Sequence, residues 1–220
     1  MKNLTALFIA VLFKSVLIGQ EIYIDMGAST TNFHFTNSNG DVIDGYNAKT
    51  YDQLNIGYRH IYDEAITITA GLGYTGLGSS GSISFNDAAP NSNNNVDYDL
   101  RYVQLKLGGE YLAYKYEDIV NISAVVQIGV GALTHGTQTL DGTVLSITDM
   151  PEDDNQYGNA IVSLNLGARA SMQLSEITDL YVNLLGGVYN PLPFSSDGEE
   201  SLLIYGGSIS VGLVVDLNLE

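Results

Sequence analysis

Residues 66–75 read ITITAGLGYT. Ile66, Ile68, Ala70, Leu72 and Tyr74 fall on one side of a two-residue repeat, and Thr67, Thr69, Gly71, Gly73 and Thr75 on the other. Successive side chains of an extended chain point to opposite faces, so this stretch is a strand with one apolar face and one face of small polar residues. The same period recurs downstream. Val103, Leu105, Leu107 and Tyr111 alternate with Tyr102, Gln104, Lys106, Gly108 and Glu110, and Val120 to Ala132 keeps apolar residues at every second place. Val162, Leu164, Leu166, Ala168, Ala170 and Met172 alternate with Ser163, Asn165, Gly167, Arg169, Ser171 and Gln173. A last segment from Leu203 to Leu219 is predicted to be the longest, and shorter ones run from Ile22 to Phe35, Tyr51 to Tyr58 and Leu180 to Tyr189. Eight strands are therefore expected.

The connections alternate in length. Asn37 to Asn47, Ser79 to Val96, His135 to Gln156 and Pro191 to Ser201 are long and rich in Asn, Gly, Ser and Asp, which form turns and loops. Between them lie short turns at Tyr62-Asp63-Glu64, at Tyr116-Glu117-Asp118 and from Ser175 to Asp179. Short turns at one end and long loops at the other describe an up-and-down antiparallel barrel whose ends face different compartments.

Composition narrows the setting. At 220 residues the chain fits one domain. Charged residues make up only 15%, against about 25% in ordinary soluble domains. Cysteine is absent, which removes disulfides, thiolate metal sites and a lipidated N-terminal cysteine. Met1 to Gln20, MKNLTALFIAVLFKSVLIGQ, carries Lys2 before an apolar run from Leu4 to Phe13, the pattern of a secretory signal peptide over residues 1–19. Residues 20–220 then form the barrel domain. No later stretch approaches the roughly 18 apolar residues of a membrane helix. Removal of Lys2 and Lys14 leaves 25 acidic against 6 basic residues, a charge of −19. Nucleic acid is excluded as a partner, because phosphates demand clustered Lys and Arg.

Alternation alone does not say which face of the barrel points outward. The polar face is mostly Gly, Ser, Thr, Asn and Gln, too sparsely charged for a surface facing water and well suited to a crowded lumen. Gly71, Gly73, Gly129, Gly131, Gly167 and Gly212 would relieve that crowding. The apolar face carries no charge in any of the eight segments, as lipid contact requires, since one Lys or Arg at the midplane costs roughly 2 to 4 kcal/mol. The fold class is all-β: an eight-stranded antiparallel up-and-down transmembrane β-barrel. Tyr58, Tyr62, Tyr111, Tyr114 and Tyr116 near the short turns, and Tyr46, Tyr51, Tyr74, Tyr98, Tyr189 and Tyr205 near the long loops, are expected to form two interfacial girdles, although strand propensity alone also favours Tyr.

The stretches LRYVQLKLGGEYL (Leu100 to Leu112) and ISVGLVVDLNLE (Ile209 to Glu220) resemble small outer-membrane barrels of the OmpA and OmpX type. The version nearest in character is the outer-membrane β-barrel domain common in Bacteroidetes, in which a signal peptide is followed at once by Gln, as in Gly19-Gln20. The resemblance covers the whole mature chain. It implies a Gram-negative outer membrane, contact with its lipid and lipopolysaccharide, insertion by the barrel-assembly machinery, and a monomer. The chain ends Leu219-Glu220, where such barrels often carry the aromatic residue read by that machinery.

Chemistry on this frame is sparse. The polar face holds Asp25, Arg59, Lys106, Glu110, Arg169 and Asp216, of both signs, and a nearly dry lumen forces them to pair. They are read as a network plugging the barrel, with an ion path or small-solute site as the competing reading. The loops carry eleven acids, Asp41, Asp44, Asp87, Asp141, Asp149, Glu152, Asp153, Asp154, Asp197, Glu199 and Glu200, and no Lys or Arg. Asp149, Glu152, Asp153 and Asp154 form a weak Ca²⁺ candidate, because the ligand order and shaping Gly of an EF-hand are missing. His34 and His135 lie toward the loop rim, where a lipid A-modifying enzyme would need a His-Ser-acid set, but no G-x-S-x-G accompanies them. The remaining imidazole is His60. No cofactor is implied and no catalytic residue is assigned. The leading expectation is a non-enzymatic barrel acting in envelope integrity or surface interaction through acidic loops. A narrow channel or carrier for small or apolar solutes stands second, and the rim-histidine enzyme third.

Overall fold

The structure is a computed structural model and describes residues 20–36, 40–43, 45–84, 93–117, 119–149, 159–192 and 201–217. Residues 1–19, expected as the signal peptide, lie outside these, as do Asp44, Asp87, Glu152, Asp153, Asp154, Asp197, Glu199 and Glu200. Ten strands are present: β1 (Gln20–Thr36), β2 (Val42–Ile43), β3 (Tyr46–Ile61), β4 (Ile66–Ser84), β5 (Asn93–Tyr116), β6 (Val120–Leu140), β7 (Thr143–Ser146), β8 (Ala160–Ser175), β9 (Thr178–Leu192) and β10 (Ser201–Asp216). Eight of them pair antiparallel in the order β10-β9-β8-β6-β5-β4-β3-β1, and β1 closes the ring against β10 from Glu21 opposite Asp216 to Thr36 opposite Ser201. Closure leaves no free sheet edge within the ring, the condition for a backbone to sit in lipid.

The orientation follows the pleat. Leu72, Leu105, Ile128, Leu184 and Ile209, each more than half exposed, stand on the outer wall, while their sequence neighbours Gly73, Gln104, Gly129 and Asn183 are buried. Along β10 the apolar row runs from Tyr205 to Val215, ten residue steps. At about 3.3 Å per residue and a tilt near 40°, that row is about 25 Å tall, the height of a membrane belt. One charge departs from the expected clean face. Asp52 shares the outward row of Leu54 and Ile56 and is exposed, at the loop-side end of that row.

The strands are longer than the alternation predicts. The longest is β5 with 24 residues, not β10, which has 16. Above the belt the outward face of a strand meets water, so Ser79–Ser84 and Asn93–Asp99 keep pairing without an outward apolar row to mark them. Likewise β6 continues to Leu140 and returns as β7 through Asp141-Gly142, both with positive φ (47° and 84°), a two-residue hairpin turn of the type that Asp-Gly favours.

The lumen is divided in two. Its loop half is filled by Phe33, Leu77, Tyr98, Leu100, Tyr102, Ile147, Ile161, Tyr189 and Ile204, and its turn half by polar groups around Asp25 and Glu110. This overturns four of the six tyrosines of the loop-side girdle. Tyr98 and Tyr189 are buried inside, Tyr46 packs on Phe33, and Tyr51 is covered as well, which leaves Tyr74 and Tyr205 on the outer wall. Wall that rises above the membrane encloses an interior of its own, and large rings fill it. On the turn side Tyr62, Tyr111, Tyr114 and Tyr116 are exposed as a girdle requires.

Inward glycines face packed neighbours. A Cβ at Gly212 would meet Tyr181 Cζ at 2.5 Å and Asp25 Cβ at 2.6 Å, and one at Gly73 would meet Lys106 Cε at 2.6 Å. Gly212→Ala is expected to destabilise the barrel by about 1 to 3 kcal/mol through overpacking. Urea unfolding in detergent checks this, and an unchanged midpoint would mean that the Tyr181 ring is free to move aside.

Candidate functional site

The inward rows of β1, β3, β5, β8 and β9 converge in the turn half of the lumen. Each strand contributes there because side chains two residues apart share a face. Glu110 lies at the centre, with Arg59 Nη2 at 3.0 Å from its Oε2 and Arg169 Nη1 at 2.6 Å from its Oε1. The Arg169 contact is an ion pair without the alignment of a hydrogen bond. Arg59 Nη1 also reaches Glu21 Oε2 at 2.5 Å, and Arg169 Nε donates to Asn183 Oδ1 at 2.8 Å while its guanidinium lies 4.1 Å from the Tyr181 ring centroid. A second chain runs beside it. Lys106 Nζ donates to Asn55 Oδ1 (2.7 Å), Asn55 Nδ2 to Asp25 Oδ1 (2.7 Å), and the Tyr181 hydroxyl to Asp25 Oδ2 (2.9 Å). Glu21, Asp25 and Glu110 balance Arg59, Lys106 and Arg169, so the cluster is formally neutral, as a desolvated set must be.

Of the six residues singled out in the sequence, Asp25, Arg59, Lys106, Glu110 and Arg169 meet in this cluster. Asp216 lies apart, with Glu21, Glu176 and Asp179 around a cavity of about 170 Å³ at the turn-side mouth. Glu21 was missed, yet it shares the two-residue repeat of Tyr23 and Asp25. So were Asn55, Asn183 and Tyr181, neutral groups that become relays only once strands distant in sequence are side by side.

The free space within the cluster is about 20 Å³, bordered by Asp25, Asn55, Lys106, Glu110 and Arg169, which is room for about one water. Toward the loops the aromatic and aliphatic filling follows without a break. A second mouth cavity of about 160 Å³ borders Arg59, Asp63, Glu64 and Glu110. The histidines lie elsewhere. His34 stands on the outward row of β1, edge-on to Tyr205 at 6.0 Å, and His135 is an exposed cross-strand neighbour of Arg101 on β6. His60 lies at the turn-side end of β3. Asp149 is exposed, and its three companion carboxylates fall outside the described residues.

A closed ring, an apolar outer belt and a neutralised polar lumen define the class: a transmembrane β-barrel of the outer membrane. Solved structures similar to this chain include three outer-membrane proteins. OprG of Pseudomonas aeruginosa matches at 10% identity over 89% of this chain and 96% of its own, with a TM-score of 0.47. Ail, the attachment invasion locus protein of Yersinia pestis, matches at 13% over 90% and 99% with 0.43. The outer membrane protease OmpT of Escherichia coli matches at 8% over 89% and 96% with 0.45. No family model and no curated protein sequence matches the chain.

Proposed function

We propose that the protein is a non-enzymatic, non-conducting outer-membrane scaffold that presents acidic loops at the cell surface, working as a monomer among outer-membrane lipid and lipopolysaccharide after insertion by the barrel-assembly machinery. The observation that carries this reading is the double closure of the lumen. Ion pairs around Glu110 fill the turn half, Leu77, Leu100, Tyr102 and Ile161 fill the loop half, and the space between amounts to about one water. A hydrated ion passing this way would have to break at least two buried ion pairs and enter an apolar zone where nothing replaces its water. The positions of His34 and His135, on the outer wall and four barrel strands apart along the ring, also favour a non-catalytic role.

Planar bilayer recording on the purified chain tests this. The expected trace is silent at moderate voltage. Steady, ohmic conductance steps in the wild-type chain whose size changes when Glu110 or Arg59 is substituted would replace the scaffold by a channel.

A further inference from the structure

Outside the lumen the described residues include only three Lys or Arg, Lys49, Arg101 and Lys115, and the first two lie together beyond the loop end of the belt. An irregularity in the wall brings them there. The β3–β4 ladder breaks between Ala48 and Gln53, so residues 49–52 pair with β1 but not with β4. The β4 backbone thus left over is taken by β1 side chains: Ser29 Oγ donates to Gly76 O (3.1 Å), Thr31 Oγ1 donates to Gly78 O (3.0 Å), and Gly78 N–H donates to Thr31 Oγ1 (2.9 Å).

Freed from the ladder, β3 rides over the outer face of β4. Gly76 and Gly78 share the outward row of Tyr74, and Tyr51 rests on both, with Tyr51 Cβ at 2.5 Å from where a Cβ of Gly76 would lie. Lys49 Nζ is then 5.4 Å and Arg101 Cζ 4.7 Å from the centroid of that one ring. His135 stands opposite Arg101 on the next strand. Two carboxylates hold the cations, Asp97 on Lys49 at 2.6 Å and Asp99 on Arg101 at 3.0 Å, and both cations keep about a quarter of their side-chain surface exposed. Burial tends to lower the Lys49 pKa, but hydrogen bonds with Asp97 and Tyr51 outweigh it and leave the ammonium above its usual value.

We propose that the Lys49–Tyr51–Arg101 platform is the docking site for the phosphorylated headgroup of an outer-leaflet glycolipid. Charge complementarity singles out this sector. A chain with 25 acidic against 8 basic residues repels anionic headgroups around most of its circumference, and the loops offer no Lys or Arg at all. The platform sits one outward position beyond Tyr74 and Val103, the last apolar residues on the outward rows of β4 and β5, which is headgroup height. Asp97 and Asp99 occupy the cations in the absence of lipid and compete with its phosphate, and the outward Asp52 nearby adds to that competition. The assignment rests on the loops facing outward and deepens the lipid contact of the scaffold reading.

Native mass spectrometry of the full chain, released from detergent with a bis-phosphorylated lipid A glycolipid or its dephosphorylated form, tests the assignment. The wild-type chain should retain the phosphorylated form preferentially. Lys49→Met with Arg101→Met should lower that retention by about tenfold or more, and Asp97→Asn with Asp99→Asn should raise it. Folding of each variant is read by heat-modifiable gel mobility, and if the double variant misfolds, Lys49→Gln alone must show the loss. Retention equal in all variants, or indifferent to the phosphates, overturns the assignment. So does displacement by excess inorganic phosphate, which would make this a site for the free ion. Conductance of the same preparation reads the closed lumen separately.

Discussion

Replacing Glu110 with alanine is expected to destabilise the barrel by about 3 to 5 kcal/mol, the cost of leaving buried charges without their partner. Glu110 is 4% exposed and, among the described residues, is the one carboxylate touching both lumen guanidiniums. Arg59 keeps Glu21, but Arg169 keeps only the Asn183 amide and the face of Tyr181. Lys106→Met should behave differently. Among the described residues its ammonium reaches the Asp25 carboxylate only through the Asn55 amide, so a methionine of similar volume takes away a relayed counter-charge while Asp25 keeps its Asn55 and Tyr181 donors, and the expected loss is smaller, about 1 to 2 kcal/mol. Equilibrium unfolding in urea, followed by tryptophan-free far-ultraviolet circular dichroism in lipid vesicles, reads both. Equal losses in the two variants would mean that the lumen is wet enough to screen its ions and that the closed-scaffold reading is wrong.

The contrast bears on what the sequence disclosed. Strand number and facing were legible because lipid on one side and a crowded lumen on the other impose a strict two-residue repeat: Leu105 and Leu107 out, Gln104 and Lys106 in. Where that asymmetry ends, legibility ends with it. Ser79–Ser84 and Asn93–Val96 looked like loop because a ladder above the membrane needs no outward apolar row, although pairing alone extends it. Tyr98 and Tyr189 looked interfacial for the same reason, since their neighbours gave no sign that the lumen above the belt is apolar. The ionic centre was half visible. Charges of both signs on one face announced pairing, but that Glu110 serves two arginines, and that Tyr181 reaches Asp25 across 156 residues of sequence, depends on closure of β1 against β10. The platform at Tyr51 was hidden altogether, because nothing in Tyr51 to Tyr58 marks a break in the ladder.

Leu107→Arg, close to the middle of the belt, is expected to cost about 2 to 4 kcal/mol in a lipid bilayer, since a guanidinium placed there must leave water or drag it in. Leu107 pairs with Ala70 on one side and Ile128 on the other, and the outward positions of β5 from Val103 to Tyr111 carry no carboxylate. Gln104→Leu, three residues away on the opposite face, should cost only about 1 kcal/mol, the loss of the acceptor of the buried Ser163 hydroxyl. Gln104 is fully buried at the border of the apolar half of the lumen, its Nε2 has no hydrogen-bond partner, and leucine fits a neighbourhood already holding Tyr102 and Ile161. The two substitutions move in opposite chemical directions on opposite faces, so their ratio measures which face meets lipid. Were the barrel a soluble one with its greasy face inward, Leu107→Arg would bury an unpaired charge in a packed core and abolish folding in detergent and in water alike. A lipid-facing arginine leaves the chain folded in detergent, where headgroups and water reach it, and weakens it chiefly in the bilayer. Folding yields compared between the two media separate the cases, and a loss of equal size in both would put Leu107 inside.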